Sequence, residues 1–333
     1  MVWGIEKTTG VIQLTKLLPL EILYLNQHND GVGKIWQDHY LAFANFLKKY
    51  EPRSVLEIGG ANDFIANNYL NQKQAEWTIV EPHPQFVSSD KVKVIKSWFD
   101  DKFSISGGEI DIIIHSHVLE HVYDPNQFLG QISSFLKDGQ KHIFTFPKML
   151  EMLKNNYTNC LNFEHTVFLT EELVDYLLEQ NGFKILEKEY FGNPHSIFYA
   201  TEKDSQLKPT KSLPNKYNEY KQIFLDFVNY HQAMVAELNK RIINYDGPIY
   251  LFGAHIFSQY LIGFGLETKR IVSILDNSQA KQGQRLYGTD FKVESPKVLA
   301  GQKQAAVILK AGIYNEEIKK DILENINSEV IFW

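Results

Sequence analysis

The sequence predicts an α/β fold: a mostly parallel, doubly wound sheet followed by a second, smaller α/β domain. Short apolar runs rich in branched residues alternate with stretches of helical period. The order strand, glycine turn, helix, strand, acid also occurs twice, at 54–81 and at 249–276. Strands that alternate with helices in this way favour a parallel sheet.

Composition limits the classes of protein that fit. The chain has 333 residues, enough for two domains, and its net charge of -6 argues against a nucleic-acid-binding surface. One cysteine, Cys160, excludes an internal disulfide and a four-cysteine zinc site. The start of the chain lacks the pattern of a signal segment, and the longest apolar stretch, 249–266, contains polar residues and glycines. We therefore expect a cytoplasmic protein without membrane insertion.

The first half of the chain is expected to hold an N-terminal helical segment, 1–50, and a nucleotide-binding domain, 51–203. We expect the first strand to follow residue 50, after a helix whose aromatic residues begin at Trp36. The predicted strands are 54–58, 77–81, 92–95, 111–115 and 141–146, with a last antiparallel pair at 184–190 and 196–201. The predicted helices are 63–71, with Asp63 as its cap, 125–137, with Asp124 as its N-cap, and 170–181, which begins at Thr170.

The second half begins with a linker and a long helix, 204–246, and ends with a smaller α/β domain, 247–333. The polar stretch 205–214 holds two prolines and reads as a linker. Apolar residues then recur every three or four positions over 217–243, which predicts one amphipathic helix. The later elements are predicted as strands 249–252, 271–275, 305–309 and 330–333 and a helix at 255–266.

The segment SVLEIGGANDF, 54–64, carries the strongest indication of a binding site. A buried strand leads into Gly59 and Gly60, and a helix follows, so backbone N–H groups become available to a nucleotide. Glu57 would repel a pyrophosphate but would hold an ammonium group. Glu81 ends the next strand about twenty residues on, where an acid binds ribose hydroxyls.

These segments, with 111–115 leading into SHVLEHV at 116–122, resemble the successive motifs of class I S-adenosylmethionine-dependent methyltransferases. The resemblance implies a Rossmann-like methyltransferase sheet with S-adenosyl-L-methionine as its cofactor. It implies these contacts: Glu57, Gly59, Gly60 and Asn62 with the methionine end, Glu81 and Pro82 with the ribose, Ser97 and Trp98 with the adenine, and Ser116 and His117 with the sulfonium. Ala61 and Asp63 replace the second and third glycines of the family's loop. A dehydrogenase-type dinucleotide domain is the alternative, but it requires a full G-x-G-x-x-G and no acid at position 57.

A second resemblance, to sugar C-methyltransferases, covers nearly the whole chain. It rests on segments 10–14 and 19–24, on Trp36-x-x-His39, on Phe163-Glu164-His165, and on the C-terminal segments 252–254 and 274–277. It implies a C-terminal Rossmann-like domain and a nucleotide-linked deoxysugar as the acceptor. The chain departs from these enzymes in two ways: it lacks their N-terminal zinc-binding cysteines, and Asn162 stands where they usually carry a tyrosine.

Four residues are candidates for catalysis. His165 is the leading candidate for the base, with Glu164 orienting it or sharing the proton, because both follow the fifth strand at the ligand edge. His121 follows the fourth strand and His195 precedes the last strand. The alternatives are an ordinary surface pair at 164–165 and, for His195, a strand-end histidine bonded to backbone.

The pattern His117-x-x-Glu120-His121 also matches an inverted zincin motif. A zinc protease needs both histidines on an established helix, whereas these follow a strand and precede the helix that begins at Pro125. We therefore expect no metal.

Together these features predict transfer of a methyl group to a small, oxygen-rich acceptor, such as a nucleotide-linked sugar or another precursor of a surface (capsular) polysaccharide. The absent tyrosine favours an oxygen target, with C-methylation of a keto-deoxysugar as the alternative. A non-catalytic nucleotide-binding scaffold and a nucleic-acid methyltransferase are alternatives of other classes, and the acidic balance argues against the latter. Gly253 and Asp276 could bind a second nucleotide or simply stabilise their own loop.

Overall fold

The computed structural model describes residues 2–23, 33–105, 109–210 and 212–333, so Tyr24 and Lys211 lie outside the described residues. The strands are β1 (Trp3–Ile5), β2 (Ile12–Leu14), β3 (Ser54–Ile58), β4 (Glu76–Val80), β5 (Val92–Ile95), β6 (Ile112–Ser116), β7 (Lys141–Pro147), β8 (Phe183–Phe191), β9 (Ser196–Lys203), β10 (Ile249–Phe252), β11 (Ile271–Leu275), β12 (Val293–Glu294), β13 (Ala306–Leu309) and β14 (Ile331–Phe332). The α-helices are α1 (Leu20–Leu23), α2 (Lys34–Lys48), α3 (Phe64–Leu70), α4 (Pro125–Phe135), α5 (Met149–Lys154), α6 (Glu171–Gln180), α7 (Tyr217–Ile243), α8 (Ile256–Gly263) and α9 (Asn315–Asn325). Short 3-10 turns cover Thr158–Cys160, Pro296–Leu299 and Gly312–Tyr314.

A seven-stranded sheet in the order β5-β4-β3-β6-β7-β9-β8 confirms the predicted fold class. The strands from β5 to β7 pair in parallel, while β9 runs antiparallel to both β7 and β8. The carboxyl ends of β3, β4, β5 and β6 therefore open on one edge, which is where ligands bind in such sheets.

The apolar strands at the centre of this sheet explain its stability. Four of the five β3 residues and the three isoleucines of β6 are buried. Helix α2 packs Phe43, Phe46 and Leu47 into the same core, at the helical spacing that the sequence predicts. Burial of an aromatic or leucine side chain contributes about 1.5–3 kcal/mol, so α2 is part of this fold and not an appendage.

The structure corrects the N-terminal prediction. Strands β1 and β2 pair antiparallel before residue 50, so 54–58 is not the first strand. Each has only three residues, which is too short to show a periodic pattern.

Two helices begin with a side-chain cap, and the helix after Asp63 does not. Asp124 accepts a hydrogen bond from Gln127 N (2.9 Å) and Thr170 from Leu173 N (3.3 Å), as expected of N-caps. The prediction for Asp63 is wrong, because its side chain makes no cap bond. Its backbone (φ -98°, ψ 20°) is not extended, and Asn62 Oδ1 instead accepts from Phe64 N at 3.1 Å.

The chain divides into two compact units, Met1–Leu150 with Phe163–Tyr217 and Glu151–Asn162 with Asn218–Trp333. In the second unit, a parallel sheet in the order β12-β11-β10-β13-β14 packs with α7, whose predicted bounds are confirmed. The domain boundaries at 50, 203 and 246 stay a prediction. Among the described residues, no helix combines the length and apolarity needed to cross a bilayer.

Candidate active site

Strand β3 carries a buried acid next to the glycine turn that follows it. The Glu57 side chain is 2% exposed, and the indole N–H of Trp77 donates to its Oε2 at 2.7 Å. Burial raises the pKa of Glu57 to about 8, although the Trp77 hydrogen bond opposes this. A Cβ on Gly60 would lie 3.0 Å from Glu57 Oε1, so the glycine leaves room beside the carboxylate. Gly59 has a φ of 73°, which suits a residue without a side chain.

Glu81 follows β4, one strand away from Glu57. It is 7% exposed, and its Oε1 accepts from His83 N at 2.9 Å, the one hydrogen bond that the described residues give this carboxylate. Burial raises the pKa of Glu81, against the His83 bond. Pro82 follows and is half-buried.

Ser97 and Trp98 follow β5, one strand further along the same edge. Ser97 Oγ donates to the Trp98 carbonyl oxygen at 3.0 Å, and the indole is 39% exposed. A partly exposed indole at this edge is suited to stacking on a flat ring.

Ser116 ends β6, and His117 follows it with a φ of 54°. This is a costly conformation for a residue other than glycine, and it is typical of functional sites. His117 Nε2 lies 2.9 Å from Ser196 Oγ, and its Nδ1 lies 3.2 Å from Glu120 Oε1. Burial lowers the pKa of His117 to about 3.

His195 belongs to a group of three histidines with His117 and His39. Its Nδ1 lies 2.6 Å from Ser196 Oγ, and one ring nitrogen of each histidine falls within 4.8 Å of the others. Burial, reinforced by the neighbouring His117, lowers the pKa of His195 to about 3. These imidazoles are therefore neutral at physiological pH.

The second group, which we call the Glu120 cluster, consists of Glu120, His121 and His165. One possible ligand atom from each residue lies within 4.8 Å of the others, and the two imidazole rings pack edge-on at 4.9 Å. Glu120 is 1% exposed and His165 8% exposed. Residues 117–122 form a turn that precedes α4, as the sequence predicts.

The backbone holds His165 beside this turn. Thr166 N donates to the Glu120 carbonyl oxygen at 2.9 Å, and Thr166 Oγ1 donates to the carbonyl of Val122. Residues 166–168 also pair with β2. Leu14 N donates to the Thr166 carbonyl oxygen at 2.9 Å, and Phe168 N donates to that of Ile12 at 2.8 Å. The N-terminal hairpin thus contributes to positioning a histidine that lies far along the chain.

Electrostatics in the Glu120 cluster is dominated by burial. Burial raises the pKa of Glu120, opposed by attraction to His121 and His165. Burial lowers the pKa of His121 to about 4, against the attraction of Glu120. A neutral imidazole such as that of His121 accepts a proton or binds a cation.

Sequence reasoning paired His165 with Glu164 and did not assign Glu120 a role. The structure places the Glu120 carboxylate beside both imidazoles, whereas Glu164 accepts a hydrogen bond from His121 through its backbone carbonyl. Position 120 within His117-x-x-Glu120-His121 is the signal that could have identified it.

The glycine turn of the second unit is arranged differently. Asp276, after β11, accepts hydrogen bonds from Ala254 N through Oδ2 and from Ser278 N through Oδ1, both at 2.8 Å. Its carboxylate thus fastens the Gly253 turn to the following loop.

Comparison with known proteins gives one family match. Residues 32–188, just under half of the chain, match the family model described as a methyltransferase domain. The C-methyltransferase NovU of Streptomyces niveus is 24% identical over 222 residues, which are 62% of this chain and 53% of NovU. The chain thus spans about half the length of that relative.

Two solved structures illustrate the structural similarity. The 1,6-didemethyltoxoflavin-N1-methyltransferase of Burkholderia thailandensis, with bound S-adenosylhomocysteine, has a TM-score of 0.44 and 12% identity, covering 61% of this chain and 98% of its own. The N-methyltransferase NodS of Bradyrhizobium japonicum, also in complex with S-adenosylhomocysteine, has a TM-score of 0.40 and 12% identity, covering 53% of this chain and 93% of its own.

Proposed function

Residues 32–188 match the family model of a methyltransferase domain, and from this match we propose that they form a class I, S-adenosylmethionine-dependent methyltransferase domain that methylates a small, oxygen-rich acceptor. We take the acceptor to be a nucleotide-linked sugar or another precursor of a surface polysaccharide. The observation that carries the proposal is the Glu120 cluster, which lies directly after the strand that ends in Ser116 and His117.

The residues at the sheet edge fit the cofactor. The buried Glu57 beside Gly60 suits an ammonium group, which would compensate the cost of burying a carboxylate. Glu81 accepts one backbone N–H and retains acceptor capacity for ribose hydroxyls. Trp98 and Ser97 suit the adenine, while Ser116 and His117 suit the sulfonium side.

Proton removal is the task left to the protein. When bound, S-adenosylmethionine supplies an electrophilic methyl group, which leaves sulfur for the acceptor while the C–S electron pair stays on sulfur. His165 takes the acceptor's proton on its imidazole, and the neighbouring Glu120 carboxylate stabilises the resulting cation. His121 completes this environment, and Ser196 Oγ contacts both His117 and His195, so it connects His195 to the histidine beside Glu120.

An oxygen atom is our first choice of target, because Asn162 stands where sugar C-methyltransferases usually carry a tyrosine. Asn162 is buried, and its Nδ2 donates to the Asn159 carbonyl at 3.5 Å. The similarity to the C-methyltransferase NovU favours the second candidate, C-methylation of a keto sugar. An imidazole base serves either chemistry, because both need a proton removed next to the methyl donor.

A panel assay tests the proposal. The full chain is incubated with S-adenosylmethionine and nucleotide sugars, with and without a keto group, and products are analysed by mass spectrometry and NMR. A methyl on oxygen supports the first candidate and a methyl on carbon the second. Calorimetry with S-adenosylhomocysteine is run alongside, because an absence of binding would overturn the proposed methyl transfer.

A further inference from the structure

We propose that the Glu120 cluster is a binding site for one divalent transition-metal ion. Two histidines and one carboxylate form a ligand set that suits Fe²⁺, Mn²⁺, Co²⁺ or Zn²⁺. The inference rests on the proposed function only for the chemical role of the ion, because the site itself is defined by its own geometry.

The three side chains already converge. A potential ligand atom of each falls within 4.8 Å of the other two, and His121 Nε2 lies 4.0 Å from Glu120 Oε1. Ligands bonded to one ion at about 2.0–2.2 Å lie at most about 4 Å apart, so small side-chain adjustments complete the coordination.

An unpartnered oxygen provides a second, independent observation. Glu120 Oε2 is fully buried and has no hydrogen-bond partner among the described residues. A buried carboxylate oxygen without a donor is costly, and such atoms in native structures call for an explanation. A cation held between Glu120 and the two imidazoles would satisfy that oxygen.

The surrounding hydrogen bonds orient the ligands. His121 Nδ1 lies 3.2 Å from the Glu164 carbonyl oxygen, and because a carbonyl only accepts, Nδ1 carries the proton. Nε2 therefore presents its lone pair on the side of Glu120. His117 Nδ1 contacts Glu120 Oε1 at 3.2 Å, which supports the carboxylate from outside. Metal-binding histidines and carboxylates are usually oriented by such outer contacts.

The other histidine group, formed by His39, His117 and His195, is a weaker candidate. Both ring nitrogens of His117 already have partners, Ser196 Oγ at 2.9 Å and Glu120 Oε1 at 3.2 Å. The group also lacks a carboxylate, so an ion there would have no anionic ligand beside the expected sulfonium.

The ion would act on the acceptor. Three protein ligands leave coordination positions open for water or for neighbouring oxygens of a sugar-like acceptor. An acceptor hydroxyl bound there becomes more acidic and gives its proton to water. His165 is then a ligand of the ion, and the ion takes over the activation that the imidazole would otherwise provide.

The test begins with the purified full chain. Metal content is measured by plasma mass spectrometry, the protein is stripped with a chelator, and Co²⁺ is titrated while its visible absorption is recorded. We expect one ion per chain, and binding at least about 100-fold weaker in Glu120→Gln and His165→Asn. His83→Asn, at an exposed histidine outside the cluster, is the matched control and should retain the ion.

Circular dichroism identifies a variant that fails to fold, and His121→Asn then serves as the second test. Absence of Co²⁺ binding to the wild-type chain, or equal binding by the folded cluster variants, would overturn the site. Methyl transfer that persists in the metal-free protein overturns the ion's role in the reaction and leaves the proposed function intact. Absence of S-adenosylhomocysteine binding overturns the proposed function, and Co²⁺ binding still reports on the site.

Discussion

The two glycine turns of this chain share one backbone arrangement but differ in their acids. Gly59 N donates to the Val80 carbonyl at 2.9 Å and Gly253 N to that of Leu275 at 2.8 Å, and both glycines have positive φ angles. Glu57 lies two residues before the first glycine, whereas Leu251 lies two residues before the second. The acid after the second strand also differs. Asp276 accepts from backbone N–H groups with both oxygens, from Ala254 in the Gly253 turn and from Ser278 in its own loop, whereas Glu81 accepts from one backbone N–H group.

This comparison shows that the turn alone does not make a binding site. A strand, a glycine and a helix let the backbone come close to a bound ligand. The acids around the turn determine which ligand binds. We therefore infer that the first turn binds the cofactor and that Asp276 has a structural role in the second.

The largest expected effect is on turnover, and it compares a histidine of the first unit, His165, with one of the second, His255. His165→Ala should lower turnover by about 10²–10⁴-fold, the usual contribution of a positioned acid or base, with little change in cofactor affinity. Steady-state kinetics and calorimetry with S-adenosylhomocysteine check this. The matched variant His255→Ala, at the start of α8 in the second unit, should leave turnover unchanged. Equal turnover in His165→Ala and the wild type would remove His165 from the mechanism.

The next effect tests the two acids directly. Glu81→Ala should weaken S-adenosylhomocysteine binding by about 10–100-fold, because a hydrogen bond to a charged group contributes about 1.5–3 kcal/mol. Asp276→Ala should leave this affinity unchanged and lower the free energy of unfolding by about 1–3 kcal/mol, since two backbone N–H groups lose their acceptor. Calorimetry and urea denaturation measure the two quantities. A loss of cofactor affinity in Asp276→Ala would contradict the comparison.

The sequence predicts that both glycine turns exist, but it does not predict which partners their acids bind. Ser54–Ile58 and Tyr217–Ile243 have the bounds that their local periodicity predicts, because burial of one face is encoded in neighbouring residues. The proximity of Glu120 to His165 depends on Thr166 bonding to Glu120 and on Leu14 bonding to Thr166, contacts between distant segments. The side-chain partners of Asp63 and Asp276 depend on local backbone angles that residue type does not determine.

The protonation of Glu57 should make both the stability of the chain and its affinity for the cofactor depend on pH. Burial raises the pKa of Glu57 from its ordinary 4.5 to about 8, so the folded chain keeps a proton there that the unfolded chain has lost. Its contribution to stability is complete below pH 4.5 and disappears as the pH rises through about 8. Cofactor affinity should show the opposite trend, because an ammonium group favours the carboxylate, with a gain of up to about tenfold per pH unit below 8.

Glu57→Gln is the control, since an amide of the same shape does not titrate. Calorimetry with S-adenosylhomocysteine and urea denaturation are run on both proteins from about pH 4 to about pH 9, a window that includes both pKa values of Glu57, and the difference between the two curves reports Glu57. Parallel curves for the two proteins would show that Glu57 does not change its protonation state on binding or on unfolding.

The smallest effect compares the two glycines themselves. Both Gly59→Ala and Gly253→Ala place a side chain at positive φ, which costs about 1–2 kcal/mol each. A Cβ at 59 would also lie 2.6 Å from Val118 Cγ2, whereas one at 253 meets Phe257 Cδ2 at an ordinary 3.5 Å. Gly59→Ala should therefore be the more destabilising in urea denaturation and should also weaken S-adenosylhomocysteine binding, because Val118 directly follows His117, which we propose for the sulfonium side of the cofactor. If Gly253→Ala weakened that binding as strongly, both turns would have to be counted in the cofactor site.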